Sequence, residues 1–107
     1  MPGKNSNDTI FDNDFDVKTE KKVDKPKMYK VILHNDHYTT MDFVVEVLVK
    51  VFHMAPAKAT KIMLDVHNRG FGICGVYTLD IAETKVDQVH LMARSKEFPL
   101  KCSYEEA

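Results

Sequence analysis

The sequence predicts a two-layer α+β sandwich with strands and helices in the order β-α-α-β-α-β. Three observations predict this class. Short runs rich in β-branched residues alternate with longer runs whose apolar residues recur every three or four positions. Long connections separate the runs that are expected to form strands. The chain has 107 residues and no internal repeat, which suits one small domain.

The first strand is predicted over residues 28–34, an apolar run with β-branched residues at its centre. A helix is expected to follow, because Thr39 or Thr40 can cap its start and Asp42 suits its first turn. This helix is predicted to end near residues 52–53. Its apolar face would consist of Phe43, Val44, Val47, Leu48 and Val51.

The second helix is predicted to begin at Pro56, since proline is favoured in the first turn, and to stop at Gly70. A strand containing two glycines is expected over residues 72–78. The apolar face of the second helix would consist of Ala59, Ile62, Met63 and Val66.

The third helix is expected to start after Thr78, with Asp80 near its positive end. Pro99 ends the connection that follows, and residues 100–104 are predicted to form the last strand. The buried stripe of the third helix would consist of Ala82, Val86, Val89 and Ala93.

The totals exclude several classes of function. Sixteen acidic residues nearly balance 15 basic ones, which argues against nucleic acid as a partner because a basic face would be needed. The sequence shows no apolar run of about 20 residues and no signal-peptide pattern, so we expect a cytoplasmic protein without a membrane span. Cys74 and Cys102 are predicted to be reduced core thiols.

Residues 1–27 differ in composition from the rest, with six acids, six lysines and no helical or strand period. We expect a flexible N-terminal extension, because this stretch cannot bury enough apolar surface to offset the entropy of ordering. Ile10, Phe11 and Phe15 lie among its aspartates. Composition favours an inert tail, and a segment that docks elsewhere is the alternative.

A polar cluster, HNDHYTTMDF, occupies residues 34–43 at the junction of the first strand and first helix. His34, His37 and Asp36 are possible metal ligands. Alternation along a strand, however, directs neighbouring side chains to opposite faces, and no second compact group of ligands is present. We therefore expect no metal and no cofactor.

Catalysis is also disfavoured by the pattern. His67 and Cys74 could be a base and a nucleophile, but Cys74 lies within a short apolar strand, where thiols are usually buried and inert. Asp36 and Asp42 could form an acid–base pair, although nothing in the sequence shows that they converge. No glycine-rich phosphate loop is present.

A site for an amine fits the residues better. Met63 and His67 are four residues apart and share one helix face beside Val66. If Asn35, Asp36 and His67 converge, they offer several hydrogen-bond acceptors to an ammonium group, which carries three donors and a positive charge. Such a site would hold an amine that is attached to an apolar side chain.

Several separate motifs stand in the order and spacing of the ClpS adaptor family: YKVILHND, YTTMDFVVEVL, FHM, IMLDVH, ICGVYT, DIAETKV and FPLKC. The resemblance covers residues 28–107, which we therefore interpret as a ClpS-like core that binds N-degrons. It implies a three-stranded antiparallel sheet with three helices, as in the C-terminal domain of the ribosomal stalk protein.

The resemblance also implies a function. Members of this family are not enzymes; they bind proteins whose free first residue is Phe, Tyr, Trp or Leu. They pass these proteins to the N-terminal domain of the ClpA unfoldase, which feeds the ClpP protease. During this transfer the unfoldase engages the N-terminal extension of the adaptor. The alternative is a non-enzymatic interaction module of the same fold without this specificity.

Site residues are implied position by position. Asn35 and His67 would hydrogen-bond the substrate's α-amine, with His37 beside them. The side-chain pocket would be formed by Leu33, Asp36, Thr39, Met41, Val44, Met63, Val66 and Leu100. The unfoldase would dock on Asp80, Glu83, Thr84 and Lys85.

Two expectations concern single residues. The family usually has a second aspartate where this chain has His37, so we expect weaker amine binding and a steeper loss of affinity in acid. The alternative is that His37 points to solvent and only tunes the loop. We also expect Lys85 to be largely exposed, so that Lys85→Glu would weaken unfoldase binding and leave peptide affinity intact.

Overall fold

A computed structural model describes residues 25–107, and residues 1–24, with the apolar positions Ile10, Phe11 and Phe15, lie outside the described residues. Within residues 25–107, regular structure begins at Met28. The elements are β1 (Met28–His34), α1 (Met41–Lys50), α2 (Pro56–Arg69), β2 (Phe71–Thr78), α3 (Leu79–Ser95) and β3 (Lys101–Glu106). The predicted α+β class and element order are confirmed.

The three strands form one antiparallel sheet with β1 at its centre, in the order β2-β1-β3. Leu33 of β1 pairs with Gly72 on one side and with Cys102 on the other. The register with β2 shifts between Val31 and Ile32, which leaves Cys74 as an extra residue in β2.

One face of the sheet packs against the helices, and the other, open face carries no helix of residues 25–107. Val31 and Leu33 belong to the core, whereas the alternating residues Lys30, Ile32 and His34 face the other way. The apolar faces predicted for the helices are buried, except that Ile62 and Val86 are only partly covered.

The start of α1 is capped as predicted, because the Thr40 side chain accepts a hydrogen bond from the Phe43 N–H at 3.1 Å. The helix ends at Lys50, earlier than expected. His53 has a left-handed φ of 57°, and the Met54 N–H reaches back to the Leu48 carbonyl at 3.2 Å. The chain therefore turns before residue 53.

The last two strands differ slightly from the prediction, because β2 begins at Phe71 instead of residue 72 and β3 covers Lys101–Glu106 instead of residues 100–104. Gly70 ends α2 with a φ of 91°, as its glycine predicts. α3 starts after Thr78, as expected, but the Thr78 side chain makes no capping hydrogen bond. None of the three helices in residues 25–107 has the length and apolar character needed to cross a bilayer.

Both cysteines are buried free thiols, as predicted. Burial raises the pKa of Cys102 to about 12 and also raises the pKa of Cys74. Because the thiolate is the reactive form, both side chains behave as small apolar residues in the core.

Candidate functional site

A hollow of about 220 Å³ lies where the loop after β1, the start of α1 and the end of α2 meet. Its rim is polar and its wall is apolar. The residues that line it are Asn35, Asp36, His37, Thr39, Met41, Val44, Met63, Val66 and His67.

The loop that forms one side of the hollow is organised by Asp36. One carboxylate oxygen accepts hydrogen bonds from the backbone N–H groups of Tyr38, at 2.8 Å, and Thr39, at 2.7 Å. The other accepts a hydrogen bond from the Thr39 hydroxyl at 2.7 Å. Short aspartate side chains favour such turns because they replace backbone partners. Asp36 therefore shapes the loop as well as lining the hollow.

The same contacts favour the ionised form of the Asp36 carboxyl. Burial alone would raise the pKa of this carboxyl, but the hydrogen bonds from Thr39 and Tyr38 and the charge of His37 outweigh it. The pKa of Asp36 consequently lies below its ordinary value of 3.8. At neutral pH the hollow therefore has a carboxylate in its lining.

The end of α2 forms the opposite side. Met63 and His67 lie one turn apart, as their spacing predicts, and Val66 is buried beside them. The Gly70 carbonyl accepts a hydrogen bond from the Asn35 N–H at 2.9 Å, which fastens the loop to the end of the helix. This contact brings Asn35 and His67 to the same hollow. The sequence predicted Gly70 only as a helix stop, since backbone carbonyl contacts leave no residue-type signal.

The arrangement suits a cation that carries an apolar group. Val44, Met63 and Val66 are buried and supply the wall. Asn35, His37 and His67 are exposed at the mouth and supply polar atoms. The last turn of α2 carries the negative end of the helix dipole, which favours positive charge there. Met41 is 43% exposed at the rim, where it can restrict what enters.

Two residues expected in the pocket lie elsewhere. Leu33 is fully buried in the central strand, and Leu100 is 4% exposed in the same core. Neither lines the hollow. Leu33 points to the core because it lies on the face of β1 that the helices cover. Which face of β1 is covered depends on how the helices pack against the sheet.

The residues expected to meet the unfoldase lie at the start of α3. Asp80, Glu83 and Thr84 are exposed, and Glu83 accepts a hydrogen bond from the Tyr104 hydroxyl at 3.2 Å. Lys85 is half-buried, and its ammonium donates to the Val51 carbonyl at 2.7 Å. The expectation that Lys85 is largely exposed is therefore wrong, because it caps the end of α1.

The metal and catalytic alternatives find no support in residues 25–107. His34 Nε2 lies 2.7 Å from the Ser103 hydroxyl, and His34 does not line the hollow. In this part of the chain no three histidine, cysteine or acidic residues form a possible metal site. Cys74 is in the core and His67 is at the hollow, so they do not form a nucleophile–base pair.

Comparison with known proteins places this chain and its fold in the class of adaptor proteins, which have no catalytic activity of their own. The sequence profile of the family described as ATP-dependent Clp protease adaptor protein ClpS matches residues 24–103. The chain therefore belongs to the ClpS family. It is an adaptor of the Clp protease, and so a partner of the Clp unfoldase and its substrates, and it is not an enzyme.

Similar relatives extend over most of the chain. The ClpS adapter of Syntrophus aciditrophicus is 59% identical over 96% of this chain and 98% of its own length. The ClpS adapter of Acetivibrio thermocellus is 64% identical over 78% of this chain and 87% of its own. Agrobacterium tumefaciens ClpS2 bound to L-phenylalaninamide is similar in structure, with a TM-score of 0.75 and 37% identity. It covers 78% of this chain and 100% of its own.

Proposed function

We propose that this adaptor binds proteins with a free N-terminal Phe, Tyr, Trp or Leu. In the cytoplasm it would deliver them to the N-terminal domain of the ClpA unfoldase for degradation by ClpP. The proposal depends on one observation: the apolar wall and the polar mouth belong to the same hollow. The structurally similar A. tumefaciens protein holds L-phenylalaninamide, which combines a free amine with an aromatic side chain.

The mouth of the hollow would recognise the α-amine. Asn35 and His67 would accept hydrogen bonds from the ammonium, with His37 beside them and the Asp36 carboxylate nearby. Hydrogen bonds to a charged group contribute roughly 1.5–3 kcal/mol each. Acetylation would remove the charge and most of the donors and leave these acceptors unpaired.

The wall would recognise the first side chain. Burying an aromatic or leucine side chain against Val44, Met63 and Val66 contributes roughly 1.5–3 kcal/mol. Met41 would act as the gate. A β-branched first residue is stiff at its first torsion and would clash there, whereas leucine branches one carbon later.

The test is calorimetric titration with a Phe-initiated peptide, its acetylated form and an Ile-initiated form. We expect acetylation to weaken binding by about 100-fold or more, because at least two charge-assisted hydrogen bonds are lost. The Ile-initiated peptide should also bind more weakly. Equal affinity for all three would contradict the proposal and leave an interaction module without specificity for the chain start.

A further inference from the structure

A second groove, of about 440 Å³, lies on the open face of the sheet. Ile32 and His34 of β1 form its floor, together with Phe71 and Ile73 of β2. Phe71 is 39% exposed and Ile73 is 43% exposed, so this apolar surface has no cover in residues 25–107. Neither the sequence motifs nor the adaptor function assigns it a role.

The groove and the hollow adjoin. His34 lines the groove and the next residue, Asn35, lines the hollow. On α2, His67 lines the hollow, whereas Arg69 and Gly70 line the groove. What separates them is the backbone contact between the Asn35 N–H and the Gly70 carbonyl, 2.9 Å long. A substrate chain whose first residue is in the hollow therefore reaches the groove by passing over the backbone at Asn35 and Gly70.

The charges of the groove favour an acidic ligand at the end nearest the hollow. The Arg69 guanidinium lies 5.2 Å from the centre of the Phe71 ring. Within residues 25–107 it makes no ion pair, whereas Lys30 at the other end is 3.4 Å from Glu105. An incoming carboxylate would thus meet a guanidinium that makes no ion pair with any acidic side chain of residues 25–107.

We propose that the third to fifth residues of the bound chain lie in this groove. This inference rests on the proposed function, in which the first residue of the bound chain occupies the hollow. An extended chain advances about 3.3 Å per residue, so these residues lie roughly 7–13 Å beyond the first. Side chains two positions apart face the same way. An acidic third residue would meet Arg69, and an apolar fifth residue would cover Ile73.

The experiment uses three ligands and four forms of the full chain. The ligands are L-phenylalaninamide, which can occupy only the hollow, a peptide Phe-Ser-Asp-Ser-Val, and a peptide Phe-Ser-Ser-Ser-Ser. The proteins are the wild type, Arg69→Ser, Ile73→Ser and the matched control Ile81→Ser, an isoleucine that is 48% exposed on α3. Binding is measured by calorimetry, and oligomeric state by sedimentation.

We expect the wild type to bind Phe-Ser-Asp-Ser-Val about fivefold or more tightly than the all-serine peptide. Arg69→Ser and Ile73→Ser should each remove much of this advantage without changing the affinity for L-phenylalaninamide. Ile81→Ser should change neither. Equal affinity of the wild type for the two peptides would overturn the inference while the proposed function stands.

Two further outcomes would also overturn it. If Ile73→Ser alters the oligomeric state and leaves peptide affinity unchanged, the groove is a contact with a second copy of the chain. If the wild type binds neither L-phenylalaninamide nor the peptides, the proposed function itself fails, and the inference fails with it.

Discussion

His37 is the residue whose chemistry most distinguishes this hollow. It lies exposed at the mouth, next to the Asp36 carboxylate. A neutral imidazole can accept one hydrogen bond from an ammonium, whereas a protonated one repels it. The side chain at this position therefore bears directly on whether an ammonium at the mouth is attracted or repelled.

Replacing His37 by aspartate should strengthen the binding of a Phe-initiated peptide and make its affinity less sensitive to mild acid. The reason is that an ionised carboxylate close to the ammonium stays charged where an imidazole gains a proton. Calorimetry at several pH values between about 6 and 8 measures both effects. His53→Asp, at an exposed site away from the hollow, is the control. The same affinity and the same pH dependence for His37→Asp and the wild type would leave His37 as a solvent-facing loop residue.

Asp36 makes stability depend on pH with a defined sign. The pKa of Asp36 is lowered in the folded protein from its ordinary value of 3.8, so the ionised carboxylate stabilises the fold when the pH is above that ordinary value. This contribution is lost as pH falls through the lower pKa of the folded state. We expect Asp36→Asn to reduce the free energy of unfolding by about 1 kcal/mol at neutral pH. The difference should shrink between about pH 5 and pH 2 in urea titrations. A constant difference over that range would count against the role assigned to the charge.

At the scale of the elements, Lys85 joins α3 to the end of α1. Its ammonium donates to the Val51 carbonyl, one of the groups that a helix end leaves without an internal partner. It also lies 5.9 Å from the centre of the Tyr77 ring. The positive charge of Lys85 also interacts favourably with the negative end of the α1 helix dipole. Substitution of Lys85 therefore alters the packing of two helices as well as a surface charge.

Substitutions at two positions distinguish an effect on the stability of the fold from an effect on unfoldase binding. Lys85→Met should lower the free energy of unfolding by about 1 kcal/mol, because it leaves the Val51 carbonyl without its cation. Glu83→Lys changes an exposed residue and should alter stability by about 0.5 kcal/mol or less while weakening the unfoldase interaction. Urea denaturation and binding to the isolated unfoldase domain measure these effects, with peptide affinity as the common control. Unchanged unfoldase binding by Glu83→Lys would remove this residue from the docking surface.

Over the whole molecule, the hollow is placed by the central strand. β1 pairs on both sides, so its end is held firmly, and the loop that follows it starts from a fixed position. The loop is then tied to α2 through Asn35 and Gly70. The residues expected to dock the unfoldase lie on a different element, α3. Substrate and unfoldase can therefore be held by separate surfaces.

Deletion of residues 1–20 should leave the affinity for a Phe-initiated peptide unchanged, because the hollow is formed by residues 35–67. It should slow degradation of a Phe-initiated substrate by the reconstituted unfoldase and protease, if the extension is engaged during delivery. Calorimetry and a degradation assay measure the two properties. Unchanged degradation would support the inert tail that composition favours.

The class of fold, the order of the elements and most of the residues around the hollow could be predicted from the sequence. The prediction was possible because helix periodicity, capping residues and the Met63–His67 spacing are local properties, and several motifs point to one family. The three-dimensional arrangement was needed to show that Leu33 and Leu100 lie in the core, that Lys85 caps α1 and that a groove adjoins the hollow. These facts depend on which face of a strand is covered and on contacts between residues far apart in the chain. Such contacts have no periodic signature in the sequence.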